Sequence, residues 1–248
     1  MINENLQPIQ TQKTVSTGNL KARSASQVFW FSIMWLAGLI TLLVLLLVLG
    51  YVIVQGGKAI NWEFLTTAPR GGLSGEGGIS TTIGTTVYLV GLTLLVATPL
   101  GVGAAIYLIE YAGEQGLTSP ILRVLISIAN FAVETLAGIP SIIFGLFGYA
   151  LFVSTLQFGW SLLSASLAGA CLVLPTIIRT TEEALLAVPD DYRRGSLALG
   201  ATKWQTLHKV VLPAALPGII TGIILSVGRI ISETAVFFVT LGGSHRLP

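Results

Sequence analysis

Residues 28–54 contain no charged side chain. At about 1.5 Å of rise per residue, a helix over that run is roughly 40 Å long, more than a hydrocarbon core of about 30 Å requires. The run exceeds the about 7–15 residues of a signal-peptide core and no clean small-residue cleavage site follows, so it reads as a retained first transmembrane helix. Further apolar runs follow at 79–109, 124–153, 161–178 and 214–241. In lipid every backbone N–H and C=O must be bonded inside its own element, and long helices meet that condition. Composition agrees: 53% of residues are hydrophobic and 10% charged, and mean hydropathy is +0.82. The expected fold class is all-α and integral to the membrane, with five transmembrane helices.

The spans carry their own packing signals. Ala165 and Gly169 form a small-xxx-small pair, and Gly218, Gly222 and Ser226 repeat every fourth residue, so that face of the fifth span should meet a neighbouring helix. Gly138-Ile139-Pro140-Ser141 interrupts the third span. Two readings stand: a proline kink, or a half-helix starting near Ser141 whose N–H groups face an anion. Cys171 is the only cysteine, which excludes an internal disulfide and suggests a small packing residue.

Charge orients the chain. Lys13, Lys21, Arg23, Arg123, Arg179, Arg193, Arg194, Lys203 and Lys209 fall on one side of the spans, and Lys58, Arg70 and Arg246 on the other. The positive-inside rule places the N-terminus in the cytosol. The organisation expected is a cytosolic tail (1–27), a first span (28–54), an external loop (55–78) and a membrane domain (79–248) with a cytosolic loop at 180–213. Within the external loop, Trp62 and Phe64 read as an interface anchor, and the glycine run after Pro69 as a flexible loop. That run is no phosphate loop, because no Lys-Ser/Thr follows it, so ATP hydrolysis is not expected of this chain. A formal net charge of +2, dispersed along the chain, gives no reason to expect nucleic acid. His208 and His245 lie outside the spans, and neither a metal-ligand cluster nor a nucleophile–base pair is visible. No catalytic residue, metal or cofactor is expected, and a channel's filter or ring of like charges is also missing.

The longest polar passage is 188–217. Asp190 and Asp191 suit a first helical turn, Gly200 a left-handed stop, and Thr202 with Gln205 a capping box. Pro213 should end or kink the second helix, in which Trp204, Leu207 and Val211 form an apolar stripe. The passage reads either as an amphipathic helix on the membrane surface or as a docking knob for a cytosolic partner.

Glu134, Arg229 and Glu233 fall inside spans. Each costs about 2.5–3.5 kcal/mol near the bilayer centre, so each should face protein or a watery path. Arg229 and Glu233 are spaced to pair on one helix face. Alternatively Arg229 serves a pathway for oxyanions, which its planar fork suits, with Glu233 as its counter-ion.

Gly200, nine residues and then Val210-Val211-Leu212-Pro213 resemble the second half of the EAA loop of ABC-importer permeases, with Arg194-Gly195-Ser196 standing where E-A-A is expected. Arg229-Ile230-Ile231-Ser232-Glu233-Thr234-Ala235 resembles the R-x-x-G-E-T-A signature of phosphate ABC-importer permeases. Pro99-Leu100-Gly101-Val102, Leu136 to Gly148, Arg179 to Leu185 and Ala198 to Trp204 are similar to the A-type (PstA) subunits of that family. The resemblance implies a type I ABC-importer permease fold (MetI-like) with six spans, of which five are expected here, the last helix being absent. It implies a subunit importing inorganic phosphate, or another oxyanion or small solute, or a phosphate-sensing membrane scaffold. The implied partners are a C-type second permease subunit, an ATP-binding cassette ATPase dimer and an extracytoplasmic phosphate-binding protein. Arg194, Gly195, Ser196, Gly200, Ala201, Thr202, Lys203, Trp204 and Leu207 would couple to the ATPase. Arg229, Glu233, Glu134 and Ser141 would line the pathway.

Overall fold

Every apolar run is helical among the described residues, which are 17–58, 60–69, 77–112 and 120–242 of this computed structural model. The N-terminal tail before Thr17, the glycine run with Arg70, and His245 and Arg246 lie outside the described residues. The chain divides into two units, residues up to Leu65 and residues from Thr66 onward. The first holds α1 (Thr17–Gly56), apolar on every face over its hydrophobic run as befits a helix whose solvent is lipid. Next comes α2 (Trp62–Thr66), whose Phe64 amide donates to Asn61 Oδ1 at 2.7 Å.

The second unit contains α3 (Ser80–Ile106), α4 (Pro120–Ala137), α5 (Ser141–Gly148), α6 (Leu162–Leu186), α7 (Asp190–Ala198), α8 (Lys203–Thr206), α9 (Leu212–Ser232) and α10 (Ala235–Leu241). Three wide π-helical turns interrupt them: Tyr107–Tyr111 after α3, Tyr149–Thr155 after α5 and Leu207–Val211 between α8 and α9. Among the described residues, four segments are long and apolar enough to cross a membrane: Ser26–Gly56, Ser80–Tyr111, Leu162–Leu186 and Lys203–Ser232. Ile126–Ala137 with Ser141–Thr155, bent by 110°, is a broken fifth span or a re-entrant loop.

α6 is the centre, lying against α3, α4, α5, α9 and α10. Small residues allow this crowding. A Cβ on Gly101 of α3 would stand 2.7 Å from Ile177 Cγ2, and one on Gly218 of α9 would stand 2.6 Å from Ala184 Cβ. A Cβ on Gly222 would overlap Thr180 Oγ1, and Ser226, one turn further, is fully buried. The glycine stripe expected to meet a neighbouring helix therefore meets α6. At the other end, Gly169 lets the Phe237 ring of α10 approach to 3.0 Å of where its Cβ would stand. Ala168, Leu172 and Val173 fill the core between these seams, with Phe144 and Val236.

Two spans are broken. The 138–140 interruption turns α4 into α5, with Pro140 as the residue before the helix at φ −56°, ψ 136°. Pro140 thus starts a separate half-helix, as one of the two readings expected. The fifth span, expected as one helix over 214–241, also breaks: Glu233 takes an extended conformation at φ −79°, ψ 125°, and α10 starts two residues later. Gly145 of α5 faces Val236 and Gly148 faces Thr240, so α5 and α10 run side by side and start within about one turn of each other.

Pro213 does not end its helix. It occupies the first turn of α9, and the preceding turn bonds i to i+5, Leu212 N–H donating to Leu207 O. Lys203–Ser232 is consequently one helical path.

Candidate functional site: the coupling loop and the mid-bundle charges

The loop after α6 folds as its capping residues direct. Asp190 and Asp191 occupy the first turn of α7. Gly200 stops the chain at φ +84°, where side chains are disfavoured. The capping box forms, with Thr202 Oγ1 accepting from Gln205 N–H at 3.3 Å and Gln205 Oε1 accepting from Thr202 N–H at 2.9 Å.

Its inner face is apolar. Leu207 and Val211 are buried with Ala215 and Ile219 against Leu185 and Val188. Trp204 does not join this stripe. It is 64% exposed and stacks on the His208 ring at 5.9 Å and 8°. Leu207 and Val211 keep the inner face, and the indole stands outside with Leu199, 91% exposed. Of the expected coupling residues, Arg194, Gly195, Gly200, Thr202 and Trp204 are exposed, Ser196, Ala201 and Lys203 are half-buried, and Leu207 is buried.

The loop is tied to the spans by bonds that distance in sequence concealed. Ser196 Oγ and Thr206 Oγ1 share a hydrogen bond at 2.9 Å, joining α7 to α8. Lys203 Nζ stands 4.6 Å over the Tyr111 ring, linking α8 to the end of α3. Arg193 binds Glu110 Oε1 through Nε at 3.0 Å and Nη2 at 2.7 Å, and donates to Leu185 O at 2.9 Å and Val188 O at 2.8 Å. Sequence analysis counted Arg193 as a topological charge and missed this role. The available signal was a glutamate closing an apolar span opposite a basic loop.

The charged residues inside the spans are arranged differently from the expected helix-face pair. Because Glu233 leaves the helix, its carboxylate turns forward and accepts from the amides of Ala235 at 3.1 Å and Val236 at 3.4 Å, capping α10. Arg229 instead donates to Thr176 Oγ1 on α6 at 3.1 Å. Contacts between Ala184 and Gly218, Thr180 and Gly222, Thr176 and Arg229, and Gly169 and Phe237 follow α6 in order. Arg229 and the Glu233 break therefore lie near the middle of α6. Glu134 is exposed on α4, with no hydrogen bond or ion pair among the described residues. Its exposed neighbours Ile128 and Phe131 share that face. Ser141, half-buried, opens α5. The structure thus brings Arg229 and Glu233 to one level of the bundle without pairing them.

The sequence is similar to those of known permease proteins. A probable ABC transporter permease protein, YqgI, of Bacillus subtilis is 35% identical over 77% of this chain and 62% of its own length. Phosphate transport system permease protein PstA 1 of Mycobacterium tuberculosis is 38% identical over 84% of this chain and 66% of its own. The inward-facing MetNI methionine ABC transporter aligns with a TM-score of 0.49 at 25% identity, over 62% of this chain and 68% of that one. The chain spans 62% to 66% of the length of these curated relatives. The family described as binding-protein-dependent transport system inner membrane component matches residues 97–245. On that match and on its apolar helices, this chain is a multi-pass membrane protein and belongs to the family of binding-protein-dependent transport system inner membrane components.

Proposed function

We propose that the chain is the A-type permease subunit of an ATP-driven importer of inorganic phosphate. The observation that carries this reading is Arg229: a guanidinium halfway along the bundle, held by a hydroxyl and paired with no carboxylate among the described residues. A half-buried cation left without a counter-ion suits a transient anion, and a planar fork suits phosphate oxygens. The relatives named as phosphate transport permeases support phosphate as the cargo. Glu134, facing away from its own bundle, and Ser141, opening a half-helix beside α10, would complete the pathway wall with Glu233 shaping the break. The exposed surface around Trp204, Leu199 and Arg194 would receive an ATPase dimer in the cytosol, with the N-terminus on the same side. A C-type permease subunit and an external phosphate-binding protein would complete the assembly.

The test is uptake of labelled phosphate by cells lacking their own high-affinity importer, supplied with this permease and its partner subunits. ATP-dependent uptake that excess unlabelled sulfate fails to suppress supports the reading. Suppression by sulfate assigns a different oxyanion. No uptake despite insertion and assembly overturns the transport assignment.

A further inference from the structure

We propose that Arg193 is the positioning residue that makes the loop after α6 and the second and fourth spans move as one body. The inference rests on the proposed transport function and extends it to a residue that no EAA-like position includes.

The geometry is specific. One guanidinium joins three elements: the carboxylate of Glu110 in the wide turn ending α3, the carbonyls of Leu185 and Val188 at the end of α6, and its own helix α7. Its side chain is 18% exposed and that of Glu110 is 11% exposed. Screening by water is therefore weak, and truncating Arg193 strands the Glu110 carboxylate in a poorly hydrated place, whereas truncating Glu110 leaves Arg193 only the exposed Asp190 carboxylate at 3.4 Å. Arginine is required by shape. Its fixed fork spends separate N–H groups on the carboxylate and on two carbonyls, whereas lysine is a point charge. Leu185 lies in the last turn of α6 and Val188 two residues past its end, and a cation there complements the helix dipole.

The consequence is mechanical. The loop's second helix is already continuous with α9, so it carries force to the fifth span without help. Its first helix has no such continuity with α3. Arg193 supplies the link, and Ser196 with Thr206 clasps the two halves of the loop together. A partner pressing on this surface then displaces α3, α6 and α9 together. Without Arg193, only the Lys203–Tyr111 contact and the packing of α9 on α6 would carry the displacement beyond α9.

The experiment reconstitutes the assembled transporter in liposomes and measures labelled phosphate moved per ATP hydrolysed. Arg193→Gln and Glu110→Gln should lower that ratio by roughly 2- to 30-fold, the span of coupling changes of this kind, while hydrolysis continues. Arg193→Lys, which keeps the ion pair and loses the fork, should fall between them and the native protein. If Arg193→Gln does not assemble, Arg193→Lys and Glu110→Gln carry the test. An unchanged ratio, with uptake falling only in proportion to the amount assembled, overturns the proposal. A native complex that moves no phosphate with ATP fails the transport reading instead, and does so before any variant is compared.

Discussion

Arg229 and Glu233 stand one helical turn apart in sequence and turn away from each other, the arginine back to Thr176 on α6 and the glutamate forward to the amides of α10. Each charge thus has a separate duty, and separate substitutions should expose them. Arg229→Gln keeps a donor for Thr176 and removes the charge. It should leave insertion and assembly intact while phosphate uptake falls by roughly tenfold or more, the loss of one charge-assisted contact of about 1.5–3 kcal/mol. Uptake and assembly falling in parallel would make Arg229 a packing residue.

Glu233→Gln retains an oxygen that accepts from the α10 amides, whereas Glu233→Ala does not. Losing such a cap costs about 1 kcal/mol. Thermal unfolding in detergent should rank native and glutamine forms close together and the alanine form below them. Equal stability of all three would remove the capping role.

Trp204 and Leu207 lie on one short stretch and should fail differently. Leu207→Ala empties a buried site and should destabilise the protein by about 2–5 kcal/mol. Trp204→Ala removes an exposed ring, so stability should hold while ATPase stimulation by the permease drops. A stable Trp204→Ala protein with normal coupling would remove the indole from the docking surface.

Gly222 and Gly91 offer a matched pair. Alanine at Gly222 collides with Thr180, a tightly packed position where overpacking costs about 1–3 kcal/mol, whereas alanine at Gly91 meets nothing within 4 Å. Detergent unfolding should show a loss only for Gly222→Ala. Equal effects would mean that α9 and α6 are not held at that seam.

What the sequence made legible follows from the range of each signal. The capping box and the Gly200 stop are local, and both appear where expected. Pro140 announced the first break because a proline is visible by itself. The second break has no proline or glycine at 233–234 to announce it, and it is accompanied by a side chain reaching past its own residue to later amides. Arg193 and Glu110 are 83 residues apart, and nothing in either segment names the other. Trp204 was grouped with Leu207 and Val211 because all three are apolar at helical spacing, and spacing alone does not say which edge of such a stripe is left outside.

The helical path from Lys203 to Ser232 is 30 residues long, about 45 Å as a helix. In the proposed transporter it would serve as a lever, with the exposed indole as its handle and the glycine seam on α6 as its fulcrum. The wide turn, Pro213 and Pro217 lie between handle and fulcrum, and the extended break at Glu233 lies beyond it. A push at Trp204 would then be delivered beside Arg229.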